Sequence, residues 1–126
     1  MRRYICLLSA LLGACAAPAP AADLDSYKRQ VAERIVKASP YVYDGPVQPL
    51  LKSIVVLDIA IGARGELQRV AVRRSNGFKA LENRAIESVR RAAPFAAPPR
   101  SRGVSYLETF LFRDDGRFRV RSLVES

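Results

Sequence analysis

The sequence predicts an α+β domain: a small antiparallel sheet with two helices packed on one face, in the order helix–strand–strand–helix–strand–strand. Three observations predict it. Two stretches repeat apolar residues three and four apart, as a helix with one buried side does. Four shorter stretches read as strands, two of them apolar on both sides and two alternating apolar residues with arginines. The turns inside each strand pair are too short for anything but an antiparallel return.

The first helix is expected over residues 23–39. Leu24, Tyr27, Val31 and Ile35 share one stripe, which faces a core. Asp23 or Asp25 serves as N-cap, and Ser39-Pro40 stops the helix because the residue before a proline is pushed out of helical backbone. Residues 41–51 (YVYDGPVQPLL) carry Gly45, Pro46 and Pro49 and are expected as a loop. Its tyrosines and valine pack locally, or alternatively present a binding loop.

Residues 54–61 (IVVLDIAI) form the first strand. Val55, Leu57, Ile59 and Ile61 share one face, and Ile54, Val56, Asp58 and Ala60 the other. Two largely apolar faces predict a central strand. Gly62-Ala63-Arg64-Gly65 turns the chain, and residues 67–74 return with Val70 and Val72 inward and Arg69 and Arg73 outward. Ser75-Asn76-Gly77 leads to the second helix, residues 79–93. Its stripe is Leu81, Ala85, Val89 and Ala92, with Ile86 beside it. Pro94, Pro98 and Pro99 begin an extended link. Residues 104–113 set Tyr106, Phe110 and Phe112 against Leu107 and Leu111. Asp115-Gly116 marks a tight turn, and the last strand, residues 117–123, sets Phe118 and Val120 against Arg119 and Arg121.

The segment ahead of the domain has another character. Arg2 and Arg3 precede a short apolar run, residues 5–12 (ICLLSALL), followed by Gly13 and Ala14. This is a secretory signal, too short for the ~20 apolar residues of a membrane span. Leu12-Gly13-Ala14-Cys15 resembles a lipobox, which makes residues 1–14 a lipoprotein-type signal peptide and Cys15 the lipid anchor. The alternative is ordinary cleavage later, after Ala21. Residues 15–22 then form a Pro/Ala tether with a reach on the order of 20 Å at ~3 Å per residue, and residues 23–126 the domain. Ala16, a non-acidic residue after the cysteine, resembles the sorting signal for the outer membrane. Removing residues 1–14 from the 126 leaves 112, and losing Arg2 and Arg3 takes the formal charge from +9 to +7. Cys6 leaves with the signal, so no internal disulfide is expected.

Composition narrows the chemistry. The chain has no histidine, so the commonest general base and zinc ligand are missing. It carries no phosphate-binding glycine loop, nucleophile elbow or Ser-x-x-Lys pair. Asp114-Asp115 sit where a hairpin turn wants them, a better account than a calcium site. No enzyme, no cofactor and no metal site is expected. The arginines, including Arg73-Arg74, Arg90-Arg91 and Arg113 to Arg121, are spread over several elements and interleaved with acids. Export takes the chain away from nucleic acid, so none is expected as a partner. Alternate arginines guard an edge strand against self-association. A second function class remains beside this reading: an arginine-rich adaptor for an anionic envelope polymer or lipid, which salt would weaken steeply.

Residues 54–77 (IVVLDIAIGARGELQRVAVRRSNG) resemble the strand–glycine turn–strand–Ser-Ser-Gly stretch of TonB and TolA C-terminal domains. Residues 80–99 (ALENRAIESVRRAAPFAAPP) resemble the helix that follows it. Glu82 stands for the family's usual Asp, Arg84-Ala85 for its small pair, and Ala96-Ala97 interrupt its prolines. The leading helix is closer to the TolA-like branch. The resemblance implies an envelope module on the periplasmic side of the outer membrane that adds a partner's strand to its sheet edge. Its partners would be envelope proteins, such as an outer-membrane transporter or a Tol/Pal-type component. It places partner-strand binding at Phe118, Arg119, Val120, Arg121 and Leu123. TonB and TolA proper carry an inner-membrane helix and a long periplasm-crossing region, in whose place stand a lipoprotein signal and a short tether. Energy transduction is therefore not expected. TolA's paired cysteines are also missing from the mature region.

Overall fold

A computed structural model describes residues 23–43 and 52–124 of the protein. The order is α1 (Leu24–Ala38), β1 (Ser53–Ile61), β2 (Leu67–Arg74), α2 (Lys79–Ala92), a 3-10 turn (Pro99–Ser101), β3 (Val104–Phe112), β4 (Phe118–Val120) and a four-residue helix α3 (Arg121–Val124). The four strands make one antiparallel sheet in the order β2-β1-β3-β4. This is the expected α+β architecture with β1 in its interior.

The helices begin and end for local reasons. Asp23 Oδ1 accepts the Ser26 N–H at 2.8 Å, closing the first turn of α1. That bond holds the Asp23 carboxyl below the usual carboxylate range. Tyr27, Val31, Ala32 and Ile35 are buried on the inner face of α1. Leu24, expected on the same stripe, is 43 % exposed, because it opens the helix one turn before the first buried residue. α2 buries Ala85, Ser88, Val89 and Ala92, with Leu81 and Ile86 half-buried at the rim of the core.

Both helices lie on the face of the sheet formed by Val55, Leu57, Ile59 and Ile61 of β1 with Tyr106, Phe110 and Phe112 of β3 and Phe118 and Val120 of β4. Gly65 holds the far end together. Its φ is +93°, and a Cβ there would sit 1.9 Å from the Phe95 carbonyl oxygen, so only glycine fits. The Phe95 N–H donates to the Gly65 carbonyl at 2.8 Å, tying the proline link to the β1–β2 turn. Val70 and Val72 point to the helix side, opposite Ile59 and Leu57. Being on an edge strand, Val72 remains 36 % exposed.

The C-terminal strand is shorter than the sequence predicts. It stops at Val120, and Arg121 and Leu123 belong to α3. Alternation of arginine and apolar residues continues past Val120, but the chain leaves the sheet there because the side chain of Glu108 binds Ser122. Among the described residues no helix is long and apolar enough to cross a membrane.

Candidate partner-binding edge

β4 is held to β3 by a closed hairpin. The Arg113 N–H donates to the Arg117 carbonyl at 2.8 Å, and the Gly116 N–H to the Arg113 carbonyl at 3.0 Å. Asp115 accepts the Arg117 N–H and pairs with the Arg113 guanidinium, each at 3.0 Å. Asp115 thus does turn work, as its position suggests.

The strand pairing then runs out quickly. β4 meets only Phe110, Leu111 and Phe112 of β3, whereas β1 runs beside β3 along its whole length. Backbone groups alternate sides along a strand. Since Phe112 turns its carbonyl towards Lys52 and Arg113 its N–H towards Arg117, residues 105, 107, 109 and 111 turn theirs outward, away from β1. Leu111 lies opposite Arg119. The Thr109 N–H is taken by Glu108 Oε2 at 3.0 Å. Among the described residues no backbone group meets Ser105 or Leu107 on that side. This stretch of β3 is an open edge in line with the end of β4.

Glu108 governs the end of that edge. It points to the helix side, opposite Leu57, and is 2 % exposed. Its Oε1 accepts the Ser122 hydroxyl at 2.5 Å, and Oε2 accepts the Ser122 N–H at 3.3 Å besides that of Thr109. Burial pushes its carboxyl above the ordinary value, opposed by the bonds from Ser122 and Thr109 and by the charge of Lys28. Burial also raises Tyr106, with help from Glu108 and Tyr27, and pushes Tyr27 up to about 12. Sequence reading missed Glu108. The signal was present: it is the one charged residue in the alternate series 106, 108, 110, 112 whose other members are aromatic.

The five residues expected to bind a partner strand gather here without forming one strand. Phe118 and Val120 are core side chains, 0 % and 1 % exposed. Arg119 is half-buried, its guanidinium 5.5 Å from the Tyr43 ring, which Arg113 approaches from 4.8 Å. Arg121 begins α3, and Leu123 packs on the core from its next positions. The outward backbone groups of Phe118 are occupied: its N–H donates to the Tyr41 carbonyl at 2.7 Å and its carbonyl accepts from Tyr43 N–H at 3.3 Å. Residues 41–43 thus run beside β4, and Arg84 stacks on Tyr41 at 3.8 Å. The rest of the expected loop, and Cys15 with its tether, lie outside the described residues.

No group of three or more His, Cys, Asp or Glu comes together among the described residues. The structure has a strand edge whose outward backbone groups at Ser105 and Leu107 meet no other backbone group among the described residues, an arrangement to which a further strand can add. The family model for the C-terminal domain of the Gram-negative bacterial TonB protein matches residues 51–113. That is 63 of 126 residues, half of the chain, and the protein belongs to this family. Its domains are non-enzymatic interaction modules of the cell envelope. No curated protein and no solved structure matches the chain. The matched segment holds β1, β2, α2 and β3; α1, β4 and α3 lie outside it.

Proposed function

We propose that this protein is a lipid-anchored recognition module that holds an extended segment of another envelope protein against the C-terminal side of its sheet. The observation that carries the reading is the unpaired stretch of β3 at Ser105 and Leu107, left open because β4 is three residues long. A partner strand added there continues the line of β4, with Arg119, Arg121 and Leu123 at the junction and Phe118 and Val120 supporting it from the core. Backbone hydrogen bonds supply the affinity, and the side chains along the edge select the sequence.

The signal read over residues 1–14, Cys15 and the tether over residues 15–22 support a location on the periplasmic side of the outer membrane. The leading helix supports a TolA-like branch, and the partner would be an outer-membrane transporter or a Tol/Pal-type component.

Leu107→Pro is the test. Proline deletes the outward N–H of an edge residue and spares the β1–β3 ladder, which uses the neighbouring positions. With a photoreactive residue in place of Ser105, the native envelope should yield a discrete crosslinked partner, and Leu107→Pro in the same chain should abolish it in a domain that still melts cooperatively. A crosslink unchanged by proline would place recognition elsewhere, and residues 41–43 would be the next candidate. Cys15→Ser tests the anchor separately: the protein should leave the membrane fraction, and retention after a high-salt wash would sink the lipobox reading.

A further inference from the structure

The sheet has a second surface that partner recognition at its edge does not use. Alternation turns Ile54, Val56, Asp58 and Ala60 of β1 and Ser105, Leu107, Thr109 and Leu111 of β3 away from both helices. In an interior strand pair this face is normally polar or covered. Here Ile54 is 42 % and Leu107 49 % exposed, the largest apolar exposures on the two central strands. Ile54 stands directly opposite Leu111 and Val56 opposite Thr109, while Leu107 stands opposite Asp58 and diagonal to Val56, so Ile54, Leu111 and Val56 form one apolar cluster with Leu107 beside it.

Charge frames this surface. β2 sets Arg69 opposite Ala60 and Arg74 opposite Val56, and β4 sets Arg119 opposite Leu111. The acid on this face, Asp58, pairs with Arg69 at 3.0 Å. Three arginines therefore border the aliphatic side chains against one carboxylate.

We infer that this face is a membrane-contact surface, which seats the domain flat on an anionic bilayer. Aliphatic side chains enter the headgroup boundary while bordering arginines extend to lipid phosphates. A second copy is the wrong occupant, because two such faces would oppose three arginines to three. Two cavities, of about 300 Å³ and about 600 Å³, are lined by residues of the helices and their connecting links and not by this face.

Geometry permits this seating when Cys15 is the anchor, the reading on which the inference rests. α1 begins one layer above the sheet, about 10 Å away. The tether spans on the order of 20 Å, enough to bring the opposite face to the leaflet that holds the lipid. Seated in this way, the outer edge of β3 points along the membrane surface and stays open to a partner.

Vesicle cosedimentation tests the surface without the anchor. The full chain carrying Cys15→Ser, purified from the soluble envelope fraction, is mixed with phosphatidylethanolamine–phosphatidylglycerol vesicles or with phosphatidylcholine vesicles. Binding should require the anionic lipid and fall with salt. Ile54→Asn should weaken it roughly tenfold by removing apolar contact, and Arg74→Glu by about tenfold or more through charge reversal. In the anchored protein, a photoreactive residue in place of Leu107 should capture lipid. Equal binding to both vesicle types, indifference to both substitutions, or capture of protein alone would overturn the proposal. Ile54→Asn leaves Leu107 and the outer side of β3 unchanged and so spares strand addition, whereas Leu107→Pro keeps an apolar surface on this face and removes the outward N–H. The two readings can therefore fail independently.

Discussion

β2 runs for eight residues along one edge of the sheet with six of them exposed, whereas β4 runs for three along the other and buries two. Among the described residues neither edge carries a further strand, yet each is protected in its own way. β2 is interrupted by two register shifts against β1 and bears Arg69, Arg73 and Arg74. Bulges and repelling charges discourage a second copy from pairing there. β4 is protected by cover, with residues 41–43 bonded along its outer side and α3 turned under its end. Cover is local where charge is diffuse. It shields Phe118 completely and stops short of Leu107, so one edge can be guarded against aggregation and still leave open the stretch proposed for docking.

If cover is structural, damage to the β4 edge must be expensive. Phe118 is fully buried, with its ring 5.1 Å from Phe110 and 5.4 Å from Phe112 in tilted contact. Phe118→Ala should lower stability by about 3–5 kcal/mol in denaturant melts. A loss under ~1 kcal/mol would mean that β4 and residues 41–43 are an appendage to a core complete without them.

One substitution made on both edges sharpens the contrast. Valine to threonine keeps shape and β-branching and adds a hydroxyl. At Val120, 1 % exposed, that hydroxyl is buried, and Val120→Thr should cost about 1–3 kcal/mol. At Val72, 36 % exposed, it reaches water, and Val72→Thr should stay within about 0.5 kcal/mol. Equal costs in parallel melts would refute the distinction between a covered and a charged edge.

Much of this was legible in the sequence, for reasons that also explain the failures. β1 is apolar on both faces and proved interior, although its second face is open rather than covered. Gly65 and Gly77 both take positive φ, near +92°, as their turn positions imply. Periodicity reports side chains, so it found the stripes of α1 and α2. Backbone partnerships leave no such trace. Residues 41–43 bond to β4 through main-chain atoms, whereas their tyrosines suggested local packing or a binding loop. The end of β4 depends on one carboxylate, Glu108, twelve residues before the chain actually leaves the sheet beyond Val120. The last strand was expected to run to residue 123 for a similar reason: alternation in residues 117–123 is real in sequence but is cut short by that contact, and Arg121 and Leu123 belong to α3.

The smallest expected effect is the most specific to the β4 side. β2 has no counterpart to Glu108, which holds α3 through Ser122. Its carboxyl has a higher pKa folded than unfolded, chiefly because it is buried. A raised carboxyl pKa means that the folded state binds the proton more tightly. The stability it contributes is complete below the unfolded value, near 4.5, and is lost as pH rises through the folded value. Acidification across this window should therefore stabilise the domain in respect of this group. Glu108→Gln mimics the protonated form: its oxygen can accept the Thr109 and Ser122 N–H groups while its amide donates to the Ser122 hydroxyl. It should flatten the pH dependence and leave neutral-pH stability equal or higher. Ser122→Ala removes a bond that favours the charged form, so the pH-dependent loss should extend to higher pH. Melts of the three proteins across this range decide the matter. If Glu108→Gln loses stability at neutral pH, the carboxylate charge itself is what fastens α3 beneath the edge, and the cover on this side is an ionic clamp rather than a packed one.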